Sequence, residues 1–176
     1  MGGNTMDKKA LNKEAKIKEK AKEKAKEKVK EEYERLKLEN QVCFPLYACS
    51  KELVRQYSPY LKELDLTYTQ YVVMMVIWEK ETVSSRELAE CTHLDYGTLT
   101  PVLKRLESAG YITRKRMPED ERLLTLTLTD EGRRLKDRAV DIPICIAGCM
   151  GLTPEEFKTL YQLTYKALGN MESKEK

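Results

Sequence analysis

The sequence predicts an α+β fold, mostly helical, with a winged helix-turn-helix at its centre and further helices on both sides. Three observations predict it. Ser84–Ala109 holds two short helical patterns joined by a tight turn. Directly after it, Tyr111–Arg116 and Arg122–Thr129 alternate as two strands of a basic hairpin. Before and after this block lie amphipathic or apolar stretches with helix start signals and no strand pattern.

Residues 13–36 are a Lys/Glu/Ala tract in which Ile17, Ala21, Ala25, Val29 and Tyr33 form one thin helical stripe. Glu19, Glu23 and Glu27 each precede a lysine by three residues, which supports a helix weakly, while lysines repeating at i,i+4 repel. The tract reads as a solvated helix, with a weak coiled coil or a basic arm touching DNA flanks as the sharper readings. Pro45 should keep it apart from the next helix, which is expected to start at Pro45 itself and to end or bend at Pro59. Residues 1–40 are therefore set apart as a charged extension, and 41–176 as the folded domain.

Tyr68–Lys80 is apolar nearly all round, as a central buried helix would be. Ser84 and Glu87 are spaced as a capping box for the next helix, ending near Cys91. Asp95 can cap Tyr96–Ala109, which closes at Gly110. Leu124, Leu126 and Leu128 face one way on the second strand, and Met117–Glu121 makes the hairpin loop. Thr129 can cap a helix through about Ala139 that Pro143 kinks if it continues, and Thr153-Pro154-Glu155-Glu156 opens a last helix to about Met171.

Composition excludes several classes. Met1–Asn40 carries thirteen basic and nine acidic residues, a net +4, leaving the remainder at −1. Any affinity for nucleic acid must then come from local patches. No apolar run spans a membrane, no secretory h-region is present, and Met6 breaks a myristoylation start, so the expected address is cytoplasmic. Five cysteines without C-x-x-C spacing, and His93 as the only histidine, argue against a zinc site or a disulfide framework. No nucleotide-binding loop and no Ser/His/Asp set is present, so neither a cofactor nor an enzymatic activity is expected.

The pattern that remains is one for reading double-stranded DNA. A helix-turn-helix directs the first turn of its second helix at a major groove. Asp95, Tyr96, Gly97, Thr98, Thr100 and Pro101 lie there, mostly small or hydrogen-bonding groups. Lys104, Arg105, Arg114, Lys115 and Arg116 cluster beside it, and Arg122 sits at the turn where a wing would enter a minor groove. The competing use of such a unit is protein contact alone.

From Cys43 to Met171 the chain resembles the MarR family of regulators, and within it the organic-hydroperoxide-responsive repressors. The resemblance is carried by QVCFPLYACS, by HLDYGTLTPVLKRLESAG, by Asp120-Glu121-Arg122 with the following L-x-L-T-x-x-G, and by AVDIP. It implies a homodimer joined through helices in 44–66 and 130–172, with DNA read through 84–132 on a pseudo-palindromic operator. It implies that Cys43 is the redox-sensing thiol and that Tyr57 and Tyr68 match tyrosines that hydrogen-bond it, usually from the other subunit, with Tyr47 a third aromatic nearby. The residues agree: a thiol at the Pro45 helix start sits where the helix dipole favours thiolate, and a reachable thiolate is what oxidation requires.

In two-cysteine relatives a resolving cysteine lies near the fifth helix, which makes Cys145 and Cys149 the candidates for an intersubunit disulfide. The one-cysteine alternative caps the oxidised sulfur with a small thiol. Cys49 and Cys91 read as packing residues. Two positions depart from the family pattern: Tyr96 stands where a serine is common, and Pro45 where a small or apolar residue is usual. The alternatives are a regulator of the same family that answers to a phenolic or apolar ligand or another oxidant, a thiol peroxidase, and a structural interaction protein.

Overall fold

The computed structural model describes residues 5–116 and 124–173. They fall into two compact units, one up to Lys51 and one from Glu52. The first holds helix α1 (Thr5–Glu34), a single 3₁₀ turn at Leu38–Asn40 and the opening of helix α2 (Cys43–Glu63). Side-chain amides close the link after α1: Asn40 Nδ2 donates to the Glu34 carbonyl at 2.7 Å, and Gln41 Nε2 donates to the Arg35 carbonyl.

Helix α2 begins two residues before the position expected from Pro45. Proline is tolerated anywhere in a first turn, where its missing N–H would have had no intrahelical partner. Of the two outcomes expected at Pro59, the helix does not end there: α2 continues to Glu63. The chain then turns through Asp65, at φ 51°.

In the second unit, α3 (Tyr68–Lys80) is the central helix, with Tyr71, Val73, Met74, Ile77 and Trp78 buried. Thr67 and Gln70 cap it reciprocally, a box not anticipated from the sequence. A three-stranded antiparallel sheet follows, in the order β1 (Thr82–Ser84), β3 (Leu124–Leu128), β2 (Ile112–Arg116). Helices α4 (Ser85–Thr92) and α5 (Tyr96–Ser108) separate β1 from β2. The register pairs Val83 with Leu126 and Ile112 with Leu128, so these apolar side chains meet Leu88, Leu99, Leu103 and Leu106 in one core.

Strand β1 was not foreseen, because three residues are too few to display an alternation. Glu87 differs too: Ser84 accepts from its N–H at 3.1 Å, but the Glu87 carboxylate pairs with Lys80 at 2.7 Å and does not close the box. Ser85 is buried and its hydroxyl oxygen accepts from the Leu124 N–H at 3.0 Å, fixing the base of the hairpin to α4.

Helix α6 (Asp130–Ala139) is capped by Thr129, as expected, and is pinned to α3. Trp78 Nε1 donates to the Gly132 carbonyl at 2.8 Å, and Lys136 Nζ donates to the Trp78 carbonyl at 2.9 Å. Gly132 is obligatory, since a Cβ there would come within 2.3 Å of the Tyr111 carbonyl oxygen. The next helix is separate: α7 (Ile142–Cys149) starts afresh with Pro143 in its first turn. Helix α8 (Pro154–Glu172) carries the Thr153/Glu156 box anticipated for it and buries no residue of its own.

Candidate nucleic-acid interface and redox site

The turn between α4 and α5 is made by His93, in the left-handed region at φ 54°. His93 Nδ1 lies 2.6 Å from Glu172 Oε1, which ties this turn to the end of α8. Asp95 then caps α5: its Oδ1 accepts from the Thr98 N–H at 2.9 Å and its Oδ2 from the Thr98 hydroxyl at 2.8 Å. These bonds, the hydroxyl first, hold the Asp95 carboxyl below its ordinary range. The Thr100 hydroxyl donates to the Tyr96 carbonyl at 2.7 Å.

The result is a first turn with its outer face open. Tyr96, Gly97, Thr98, Thr100 and Pro101 are exposed, while Leu99 and Leu103 anchor the other face in the core. Both threonine hydroxyls spend their protons within the turn, so outward they present acceptor lone pairs. Pro101 cannot donate to the Gly97 carbonyl, and its ring crowds that oxygen. A Cβ on Gly97 would sit 2.9 Å from Asp95 Oδ1, so a side chain there has to push the capping carboxylate aside.

The basic residues expected beside this helix are used unequally. Lys104, Lys115 and Arg116 are exposed. Arg105 lines an open cleft of about 400 Å³ with Ser58, Asp65, Thr67, Tyr68 and Gln70. Arg114 is taken up within the fold: its Nε donates to Glu107 Oε2 at 2.8 Å, its Nη2 bonds the same carboxylate, and its own N–H meets Glu107 Oε1. Glu107, held below the usual carboxylate range by Arg114, thereby clamps β2 to α5. Sequence reasoning missed this clamp, since seven residues and a change of element separate the partners. The Met117–Glu121 loop and Arg122 lie outside the described residues.

The thiols are all free and exposed. Cys43 is the first residue of α2, with Tyr47 one turn on and also exposed. Cys49 and Cys91, expected as packing residues, are exposed instead; Cys91 borders a small cleft with His93, Thr164, Tyr165 and Leu168. Cys145 and Cys149 lie one turn apart on α7, Cys149 Sγ donating to the Cys145 carbonyl at 3.3 Å. The Tyr60 phenol sits beside Cys145, which raises its pKa ahead of burial.

Tyr57 and Tyr68 come together, with ring centroids 5.0 Å apart and edge to face. Tyr71, not singled out from the sequence, joins them at 5.7 Å from Tyr57. Burial, then the neighbouring Tyr68 and Tyr71, pushes the Tyr57 phenol up to about 12. Burial raises Tyr68 in the same direction. Both phenols therefore stay protonated at neutral pH and can donate a hydrogen bond.

A capped helix with an open first turn, set on a helix-turn-helix and followed by a β-hairpin, defines a winged-helix transcriptional regulator. The chain is 46% identical over 142 residues to the organic hydroperoxide resistance transcriptional regulator of Bacillus subtilis, covering 81% of this chain and 97% of that one. It belongs to the MarR family of transcriptional regulators, in the organic-hydroperoxide-responsive branch. Residues 55–139 also match the family model described as transcriptional regulator SarA/Rot. Among solved structures, reduced AbfR of Staphylococcus epidermidis bound to DNA superposes with a TM-score of 0.65 at 32% identity, covering 80% of this chain and 98% of that one. The disulfide-formed state of AbfR superposes at 0.54 and 34% identity, with coverage of 81% and 98%.

Proposed function

We propose that this chain is a homodimeric, cytoplasmic repressor that holds a pseudo-palindromic operator when reduced and releases it when an organic hydroperoxide oxidises Cys43. The observation that carries this reading is the exposed thiol at the first residue of α2. It occurs in a chain that matches a hydroperoxide-resistance regulator along nearly that protein's whole length. The first turn of α5 reads the major groove through Asp95–Pro101, Lys104 holds phosphate, and the hairpin with Arg116 and Arg122 follows the backbone into the minor groove.

The chemistry balances without a cofactor. The Cys43 thiolate attacks the distal peroxide oxygen, the O–O bond breaks, and the alkoxide leaves as the alcohol after taking a proton. Cys43 becomes a sulfenic acid. A second thiol then displaces hydroxide, giving a disulfide and water. Cys145 and Cys149 are the protein's candidates for that thiol; otherwise a small thiol serves. Tyr57 and Tyr68, kept protonated, donate to the Cys43 sulfur of the partner subunit and lose that bond on oxidation. Each subunit holds one half-site, so a shift of one reading head against the other costs the avidity of both.

The test is Cys43→Ser. The variant should bind operator DNA like the wild type and stay bound when cumene hydroperoxide is added. Release with unaltered sensitivity would remove Cys43 from the mechanism. Cys145→Ser and Cys149→Ser, compared on non-reducing gels after oxidation, assign the resolving thiol: a crosslinked dimer unchanged in both takes that role from Cys145 and Cys149, and oxidised wild type that forms no crosslinked dimer follows the small-thiol route.

A further inference from the structure

We propose that α1 is a second DNA-contacting element, a lysine rail that lies along duplex flanking the operator. The inference rests on the DNA-binding reading above, and it concerns the part of the chain that reading leaves unused. Between Lys16 and Lys30 the helix carries eight lysines and three glutamates, and all eight lysine side chains are exposed. The remainder of the chain after residue 40 is at −1, so the helix is where positive charge concentrates.

Helical periodicity sorts these charges. Lys16, Lys20, Lys24 and Lys28 form one row, and Lys18, Lys22, Lys26 and Lys30 another, with successive lysines about 6 Å apart. Glu19, Glu23 and Glu27 fall between the rows on one side. The other side holds positions 17, 21, 25 and 29, with both lysine rows bordering it and no carboxylate. Between 16 and 30 that stripe is bordered by lysines on both sides and winds about 40° around the helix with each step. The lysine rows run from residue 16 to 30, about 21 Å of helix, the length of about six base pairs.

Other occupants fit less well. A second copy of α1 would have to pair along a stripe repeating every fourth residue, which drifts about 40° per step where a coiled coil needs a 3.5-residue repeat. It would also bring lysine rows against lysine rows. A membrane surface needs a broad apolar face, and positions 16–30 offer one isoleucine and one valine.

The experiment measures binding by fluorescence anisotropy for the full chain, for the variant with all eight lysines changed to glutamine, and for the matching lysine-to-arginine variant. The probes are an operator duplex selected from a random pool and trimmed to its shortest bound form, the same duplex with 20 bp of unrelated sequence added on each side, and a random 60-bp duplex. We expect the wild type to bind the extended operator at least about tenfold tighter than the trimmed one, with a salt slope steeper by about 0.9 for each phosphate neutralised. The glutamine variant should bind the trimmed operator like the wild type and lose the gain from the flanks; the arginine variant should keep it. Equal wild-type affinity for the two operators overturns the proposal, as does loss of the gain in both variants, which would trace it to something other than charge. Preference of the wild type for phosphatidylglycerol vesicles over duplex, abolished in the glutamine variant, overturns it in favour of a membrane. If selection returns no operator, the repressor reading fails, while wild-type binding to the random duplex exceeding that of the glutamine variant still sustains the rail.

Discussion

Gly97 shows how a single atom can separate stability from reading. Alanine there gains helix propensity of about 1 kcal/mol. Its Cβ, 2.9 Å from Asp95 Oδ1, would displace a cap of about the same value. The two effects nearly cancel, so Gly97→Ala should melt within a few degrees of the wild type while operator affinity drops by about tenfold or more, because the first turn of α5 has moved. Circular dichroism and a gel-shift titration on the same preparation check both halves. Tyr57 makes a second case. Its phenol is pushed up to about 12, and Tyr60, Tyr68, Tyr71 and Tyr165 are raised as well, so on ultraviolet titration several tyrosines should ionise above the ordinary value of 10 and Tyr57→Phe should remove the last of them. With the folded pKa raised, this group's contribution to stability is complete below pH 10 and is lost as the pH rises towards 12.

At the scale of elements, the hairpin and α6 are held by contacts that join distant stretches. The Arg114–Glu107 clamp keeps β2 on α5. Since Arg114 holds the Glu107 carboxyl low, the clamp persists through the usual carboxylate range and is lost only as the pH falls through the depressed value. The Glu107 carboxyl carbon, followed by NMR, should titrate below an ordinary glutamate and return to the ordinary range in Arg114→Ala. A normal midpoint in the wild type would mean the clamp is not populated in solution. Gly132→Ala tests the other joint. A methyl group 2.3 Å from the Tyr111 carbonyl cannot be accommodated by rotating a side chain, so a loss of about 2–3 kcal/mol is expected in urea unfolding. Gly169→Ala, inside α8 with nothing within 4 Å of the added carbon, is the control and should gain about 1 kcal/mol instead.

For the whole molecule, the telling feature is α8, a helix of 19 residues with none buried. Ile144, Phe157, Leu163 and Met171 are exposed on α7 and α8. Apolar groups left open on this scale call for a partner surface, which the proposed dimer supplies. Phe157→Glu combined with Leu163→Glu should therefore sediment as a monomer at micromolar concentration and bind operator weakly, having lost the second half-site. A dimer of unchanged mass would place the interface elsewhere.

Much of this protein could be read from local signals, because local physics determines them. Asp95, Thr129 and Thr153 announce helix starts with their own side chains, the apolar run of Tyr68–Lys80 announces a central helix, and the leucines of β3 announce a face. The thiol at the head of α2 and the open residues of α5 were legible for the same reason. The tertiary structure decided what depends on meeting across the fold. β1 exists only because β3 pairs with it, and Glu87 abandons its cap because Lys80 is nearer. Arg114 is spent on Glu107, and Cys49 and Cys91 are left exposed because the core closes without them. Tyr71 joins Tyr57 and Tyr68 because α2 and α3 bring their rings together. Sequence periodicity says which face a residue occupies; only packing says which neighbour it finds there.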